Sequence, residues 1–552
     1  MEYANNLLKN KKIVFLTLTI LVFIVYVNSL GNNFVVDDIT SIVEKSQTES
    51  FKSLANKDLR STQLVQYFTV INIFGPNSSV FRLANILFHL GSVYLVFLLL
   101  SILTTSTIAF VTASLFAVHP ILTESVTWIS GGPYVKHSFF ILASLLCYVL
   151  SIKKRNVYLL SVLFFFLALF TSEKAIVFPF ILMVYEIAFG SIQRHWKKII
   201  PFFFLAFFFF FLVAFPALDS RLLEIQTKYD RKPIINNSLI LIPYSISSYL
   251  ELIIWPDKLS IYHSQIKISV LDYILRLSIF IGFLAAIAIA FKKNKHLFFW
   301  LFFFLISLSP TLSPFGINWI VAERYVYLGS LGIIFLAGYL LVKLIEKEKA
   351  RNLGWALFII IMIALMARTM VRNTDWKNSE TLWLATVNSY PNYYQGHYSL
   401  GVEYEETGRL KEAQREYEIA IRLNSQEPRA YANLASVYLK TNNTSKALEM
   451  SEKAVKLNPW AWEPYQNIGV IYYIRGAYDK AEAYTKKAIE RLPKNSDRYI
   501  KASSELYFNL GAIYYQEGDR VKARKFFTKV LEFEPTNERT QKLLHDSALW
   551  SQ

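Results

Sequence analysis

Cysteine is all but absent: Cys147 is the single one in 552 residues. That excludes an intramolecular disulfide and leaves the redox compartment open. Charge is sparse as well, at 18% of residues, and acids are the scarcer sign, with 41 Asp and Glu against 58 Lys and Arg. Apolar residues take up the difference. They make up 54% of the chain, with 16% aromatic and a mean hydropathy of +0.32, above the ~45–50% apolar content of ordinary soluble domains.

Acids and bases are unevenly placed. From Thr374 onward they nearly balance, with 25 Lys and Arg against 23 Asp and Glu; before it the figures are 33 and 18. The net charge of +17 therefore sits almost wholly in the half that also carries runs such as Phe202 to Phe211. Basic residues flanking apolar runs read as cytoplasmic loops and contacts to anionic membrane lipid. No basic patch lies on a soluble module, so nucleic acid is not expected as a partner.

A membrane span needs ~17–25 mostly apolar residues. Eleven spans are expected, near 12–30, 80–103, 106–118, 136–152, 157–171, 174–190, 198–215, 269–291, 297–313, 327–344 and 353–370. No small-residue cleavage site follows the first run, so it reads as a retained span. Segment 239–255 is interrupted by Pro243, Ser245, Ser247, Ser248 and Glu251, and is expected to be re-entrant or interfacial. With that assignment the basic clusters at Lys9–Lys12, Lys153–Arg155, Arg194–Lys198, Lys292–Lys295 and Lys343–Arg351 all fall on one side. A crossing at 239–255 would flip the last two. The expected N-terminus is cytoplasmic and everything after residue 373 is extracytoplasmic. Short loops and a Lys-, Ile- and Asn-rich composition lean towards a prokaryotic cytoplasmic membrane.

That sidedness gathers Asp37-Asp38, His119, Glu124, Glu173-Lys174 and Glu323-Arg324 at one membrane surface, each at the end of an apolar run. Ionisable groups beside hydrocarbon are costly and mark function. An acidic pair can accept a hydroxyl proton, and repulsion between neighbouring carboxylates raises one of their pKa values; the bland alternative is a helix cap. Arg324 offers a bidentate fork for phosphate and Lys174 a point charge. His119 suits either a phosphate or sugar contact or a pre-proline cap. Asn85 and His89, one helical turn apart, line a cavity or pack between helices. Trp128 and Tyr134 read as interface anchors, with sugar stacking as the second option. Asp37, Asp38, His119 and Glu124 carry metal-ligating atoms, but nothing in their spacing requires a metal, and none is expected.

The strongest periodicity lies at the other end. Leu400-Gly401, Leu434-Ala435 and Ile468-Gly469 recur every 34 residues, each with a Tyr three positions on (Tyr404, Tyr438, Tyr472). Ala413, Ala447 and Ala481 keep the same register. A further copy around Leu510-Gly511 and Tyr514 follows an eight-residue insertion. This is the tetratricopeptide pattern of paired helices. Repeats are placed near 394–427, 428–461, 462–495 and 504–537, after a half repeat at 379–391 and before a cap at 538–550. The tyrosines are expected to pack between helices.

The acidic pair, His119-Pro-Ile-Leu-Thr-Glu124, Ser172-Glu-Lys174, Ala322-Glu-Arg324 and Arg372-Asn-Thr-Asp-Trp-Lys377 occur in an order that resembles one family. It is the transmembrane and tetratricopeptide repeat containing proteins and their prokaryotic relatives, within the GT-C superfamily alongside protein O-mannosyltransferases. The resemblance implies an all-α polytopic membrane domain over 1–373 and a repeat solenoid over 374–552. It implies an enzyme that moves a sugar, mannose in the best-understood branch, from a polyprenyl- or dolichyl-phosphate carrier to a protein hydroxyl on the extracytoplasmic face. It assigns Asp37 and Asp38 to catalysis, and His119, Glu124, Glu173, Lys174, Glu323 and Arg324 to the donor, with no cofactor. Two departures stand out: Glu173-Lys174 reverses a common Lys-Glu order, and Arg60-Ser-Thr replaces a common Arg-Pro-Leu. The rival readings are a polysaccharide polymerase or ligase, whose late loop rich in Arg and His is not evident here, and a non-enzymatic assembly protein recruiting partners through its repeats.

Overall fold

A computed structural model describes residues 10–39, 42, 61–152, 155–215, 237–261, 263, 269–312, 320–494 and 499–546. Arg60 lies outside them. Among the described residues every regular element is a helix. The chain forms two compact units, Met1–Ser389 and Tyr390–Gln552. The division expected at 373/374 falls instead after the helix Ser379–Ser389.

In the first unit, seven helices are long and apolar enough to cross a membrane among the described residues: Lys11–Ser29, Ser78–Leu103, Ile129–Ser151, Ile192–Val213, Val270–Lys293, Glu323–Glu346 and Glu348–Asp375. An eighth is counted if Ser106–Val118 and Pro120–Thr127, bent by 53°, are one span. The other expected spans are shorter, and the reasons are local. Ser172 caps a 3-10 turn over Glu173–Val177, and Pro179 opens the next helix, Phe178–Ala188. The apolar stretch is thereby divided, leaving Tyr158–Leu169 with 12 residues. Pro310 ends the helix begun at Lys295 in the same way. Segment 239–255 forms a helix, Ser238–Ile254, with Pro243 inside it.

Leu18, Val22, Phe97, Phe116, Phe304 and Tyr327 are fully buried in one continuous core. Leu271, Ile274, Ile359, Ile360 and Ile363 face outward, the skin expected of helices solvated by lipid. Gly332 lies directly against the Trp300 carbonyl, so the helices Lys295–Leu308 and Tyr327–Glu346 approach more closely than a Cβ would permit.

The second unit is a series of helix pairs. Tyr394–Glu406 pairs with Leu410–Leu423, Pro428–Lys440 with Thr444–Leu457, Glu463–Ile474 with Tyr478–Arg491, and Tyr499–Gln516 with Arg520–Phe533. Glu538–His545 follows. Tyr404, Tyr438 and Tyr514 are buried, as packing residues should be. Gly408, Asn442, Gly476 and Gly518 occupy one equivalent position, all with left-handed φ between +59° and +86°. Glycine and asparagine tolerate that conformation, which ends the first helix of each pair.

Candidate functional site

The site starts in the segment after the first span. Val36 has φ +50°, strained for a β-branched residue, and the chain turns there immediately before Asp37-Asp38. The turn is held from several directions. The Asn32 side chain donates to the Asn373 carbonyl at 2.9 Å, and the Asn33 amide donates to the Lys377 carbonyl at 2.8 Å. The buried Arg82 guanidinium donates to the Asn32 and Asn33 carbonyls and to that of Thr127 at 3.0 Å.

The two aspartates then diverge. Asp38 is fully buried. Its Oδ1 accepts from the Ser130 amide at 2.8 Å and from the Ser130 hydroxyl at 2.5 Å, and its Oδ2 from the Val35 amide at 3.3 Å. Burial pushes the carboxyl up to about 6, against the opposing pull of Ser130, Val35 and Arg82. Asp37 is exposed. Desolvation by the surrounding protein raises its carboxyl from the ordinary value, and the Arg324 cation acts in the opposite direction. Asp37 is thus accessible at the surface and within the field of Arg324.

Arg324 is anchored by Glu124. The Arg324 amide donates to Glu124 Oε2 at 2.8 Å, and its Nη1 forms an ion pair with Oε1. Sequence proximity suggests Glu323 as the residue that orients Arg324, but Glu323 turns elsewhere. It accepts from the Ser260 amide at 2.5 Å, His263 Nε2 at 3.3 Å and Arg372 Nη2 at 3.1 Å. Arg372, fully buried, also pairs with Asp375 at 2.9 Å.

His119 sits at the bend between Ser106–Val118 and the turn that follows. Its Nδ1 accepts from the Ile121 amide at 3.2 Å, and its Nε2–H donates to the Ile253 carbonyl at 2.9 Å. Both nitrogens are thus engaged by backbone. His89 is similarly committed: the Tyr327 hydroxyl donates to Nδ1 at 2.6 Å and Nε2–H donates to the Ala117 carbonyl at 3.1 Å. Asn85 donates to the Trp128 carbonyl at 3.3 Å. A Cβ on Gly132 would collide with the Asn85 side chain, so the glycine permits that approach.

Trp128 and Tyr134 differ from the interface anchors expected of them. Trp128 is 5% exposed and stacks on Trp376 at 5.6 Å and 23°. Tyr134 packs on Tyr325 at 5.9 Å and accepts from Lys174 Nζ at 3.0 Å. Lys174, half-buried beside Glu173 on the 3-10 turn, is thereby brought to the Arg324 side of the site. Arg82, Ser130 and Tyr325 take part although sequence reasoning gave them no role, as do Arg372 and Trp376, which it named only within the Arg372–Lys377 motif. Arg82 did carry a signal, being an arginine inside an otherwise apolar run. Among the described residues no three His, Cys, Asp or Glu side chains are grouped to hold a metal ion.

Comparison with known proteins agrees with this division. Residues 64–218 match the family model for dolichyl-phosphate-mannose-protein mannosyltransferase, a stretch that includes Glu124 and Lys174 and stops short of Asp37, Asp38 and Arg324. Residues 394–427, 428–459, 463–495 and 504–537 match tetratricopeptide repeat models. The chain is 25% identical over 444 residues to protein O-mannosyl-transferase F38B6.6 of Caenorhabditis elegans, covering 74% of this chain and 62% of that protein. It is 24% identical over 475 residues to protein O-mannosyl-transferase TMTC3 of Homo sapiens, covering 75% and 52%. The chain thus spans about half to three-fifths of the length of these curated relatives. Among solved structures, the crystal structure of MamA protein is 25% identical, covering 29% of this chain and 84% of its own, with a TM-score of 0.24. The chain is thus similar to dolichyl-phosphate-mannose-protein mannosyltransferase over part of its apolar region, to tetratricopeptide repeats over its C-terminal part, and to protein O-mannosyl-transferases along most of its length, which supports an O-mannosyltransferase-like membrane protein with tetratricopeptide repeats.

Proposed function

We propose that the chain is an inverting glycosyltransferase that moves a sugar, mannose first among the choices, from a polyprenyl-phosphate carrier to a protein hydroxyl. The observation that carries this reading is the split between the two aspartates: Asp37 is open to solvent and lies in the field of Arg324, while Asp38 is spent on Ser130 and Val35. Asp37 is then the base and Asp38 a positioning residue. The acceptor oxygen bonds to the anomeric carbon as the carbon–oxygen bond to phosphate breaks. The acceptor proton passes to Asp37, and the bonding pair leaves with the carrier phosphate, whose charge Arg324 and Lys174 receive. Placed on the eleven spans read from hydropathy, the basic clusters favour an extracytoplasmic reaction face, with the repeats on that face presenting the acceptor protein.

The test is transfer from a defined polyprenyl-phosphate mannose to cell-derived acceptor proteins, read by mass. Asp37→Asn should lower turnover about 10²–10⁴-fold, the usual loss of a general base. Asp38→Asn should retain measurable transfer, and Arg324→Ala should mainly weaken use of the lipid donor. Equal transfer by wild type and Asp37→Asn would remove the base assignment.

A further inference from the structure

Lys174 and Arg324 share one aromatic ring. Lys174 Nζ lies 3.9 Å from the centroid of Tyr325, and the Arg324 guanidinium carbon lies 5.0 Å from the same centroid. Each cation has a second ring as well: Tyr134 for Lys174 at 4.1 Å, and Trp128 for Arg324 at 5.5 Å. Beyond Trp128 come its stacked partner Trp376 and then Arg372, 5.6 Å from the Trp376 centroid. Two like charges this close repel when partly desolvated; the Glu124 carboxylate paired with Arg324 and the ring that both cations contact offset that repulsion.

The geometry points to Tyr325 as a positioning residue that holds Lys174 and Arg324 as a two-cation receptor matched to the phosphate product. This deepens the glycosyltransferase reading and rests on it. A sugar linked through phosphate to a lipid is a phosphodiester with one negative charge. When the sugar leaves, the phosphate becomes a monoester that approaches two charges at neutral pH, its second pKa being ~6. One cation suits the substrate, and the second suits the charge that appears only as the bond breaks. An interaction gained only in the transition state raises turnover rather than substrate affinity. The ring faces do this work, so the Tyr325 hydroxyl is dispensable.

The expected results are for the 552-residue chain in detergent micelles. Tyr325→Leu lowers kcat roughly ten- to thirty-fold, the scale of a desolvated cation–π contact, while the KM for the lipid donor changes by less than about three-fold. Tyr325→Phe restores both. Lys174→Gln, which leaves the ring in place, reproduces the Tyr325→Leu pattern and covers the case in which Tyr325→Leu does not fold. In direct binding, both variants weaken a short polyprenyl phosphate more than they weaken the intact polyprenyl-phosphate sugar. Equal weakening of the two lipids overturns the inference, as does a Tyr325→Phe variant as damaged as Tyr325→Leu. Absence of any sugar transfer by wild type overturns the glycosyltransferase reading instead, and the binding comparison still decides the two-cation receptor.

Discussion

At the scale of single residues, adjacency in the chain says little about environment. Asp37 and Asp38 share a peptide bond, yet one faces solvent and the other is sealed beneath Ser130. Their titrations should therefore be separable. Asp38 is raised from 3.8 to about 6 by burial. Its proton is held more tightly in the folded protein than in the unfolded chain, so the associated stability is fully present below the unfolded value and is lost as pH rises through about 6. Thermal unfolding between pH 4 and 7 should show this slope in wild type and a flatter one in Asp38→Asn. A base must be deprotonated to act, and desolvation raises Asp37 from its ordinary value. Transfer should thus fall on acidification, and that acid limb should persist in Asp38→Asn.

At the scale of elements, the site depends on helices stopping where they do. The break at His119-Pro120 directs Glu124 back to Arg324, and the capped turn at Ser172 brings Lys174 to Tyr134. Such breaks survive in a membrane only where side chains or neighbouring backbone take up the freed polar groups, as His119 does for Ile121 and Ile253. Where helices run uninterrupted, closeness matters instead. Gly332→Ala would drive a methyl into the Trp300 carbonyl and should cost about 1–3 kcal/mol. A melting temperature in detergent lowered by a few degrees would register it; an unchanged value would mean the two helices separate freely. The eleven expected spans followed hydropathy, which counts apolar residues without registering a cap. Ser172 and Pro179 shortened two of them to helices of 12 and 11 residues.

At the scale of the whole molecule, a membrane unit and a repeat unit lie on either side of Ser389 and Tyr390. With the eleven spans read from hydropathy, positive-inside reasoning leads us to expect the repeats on the extracytoplasmic face; the seven or eight long apolar helices do not by themselves give that sidedness. Protease added to sealed, right-side-out membranes should therefore digest residues 390–552 and spare the spans; digestion only in inverted vesicles would separate the repeats from the proposed reaction face. Deleting the repeats should leave transfer to short peptides and lower transfer to whole proteins, measured side by side.

The sequence alone determined the class of the protein: long apolar runs, a 34-residue period and an ordered set of short motifs are local patterns, and local spacing is what a sequence displays. The repeats were legible almost to the residue, because every copy restates the same packing. Which acid is exposed, which carboxylate anchors Arg324 and which ring joins the two cations were decided only by tertiary structure. Glu124 and Arg324 stand 200 positions apart, and Glu323, next to Arg324 in the chain, faces Arg372 instead. A residue at the end of one helix acquires its partner from how the other helices pack around it, and no period or spacing along the chain encodes that choice.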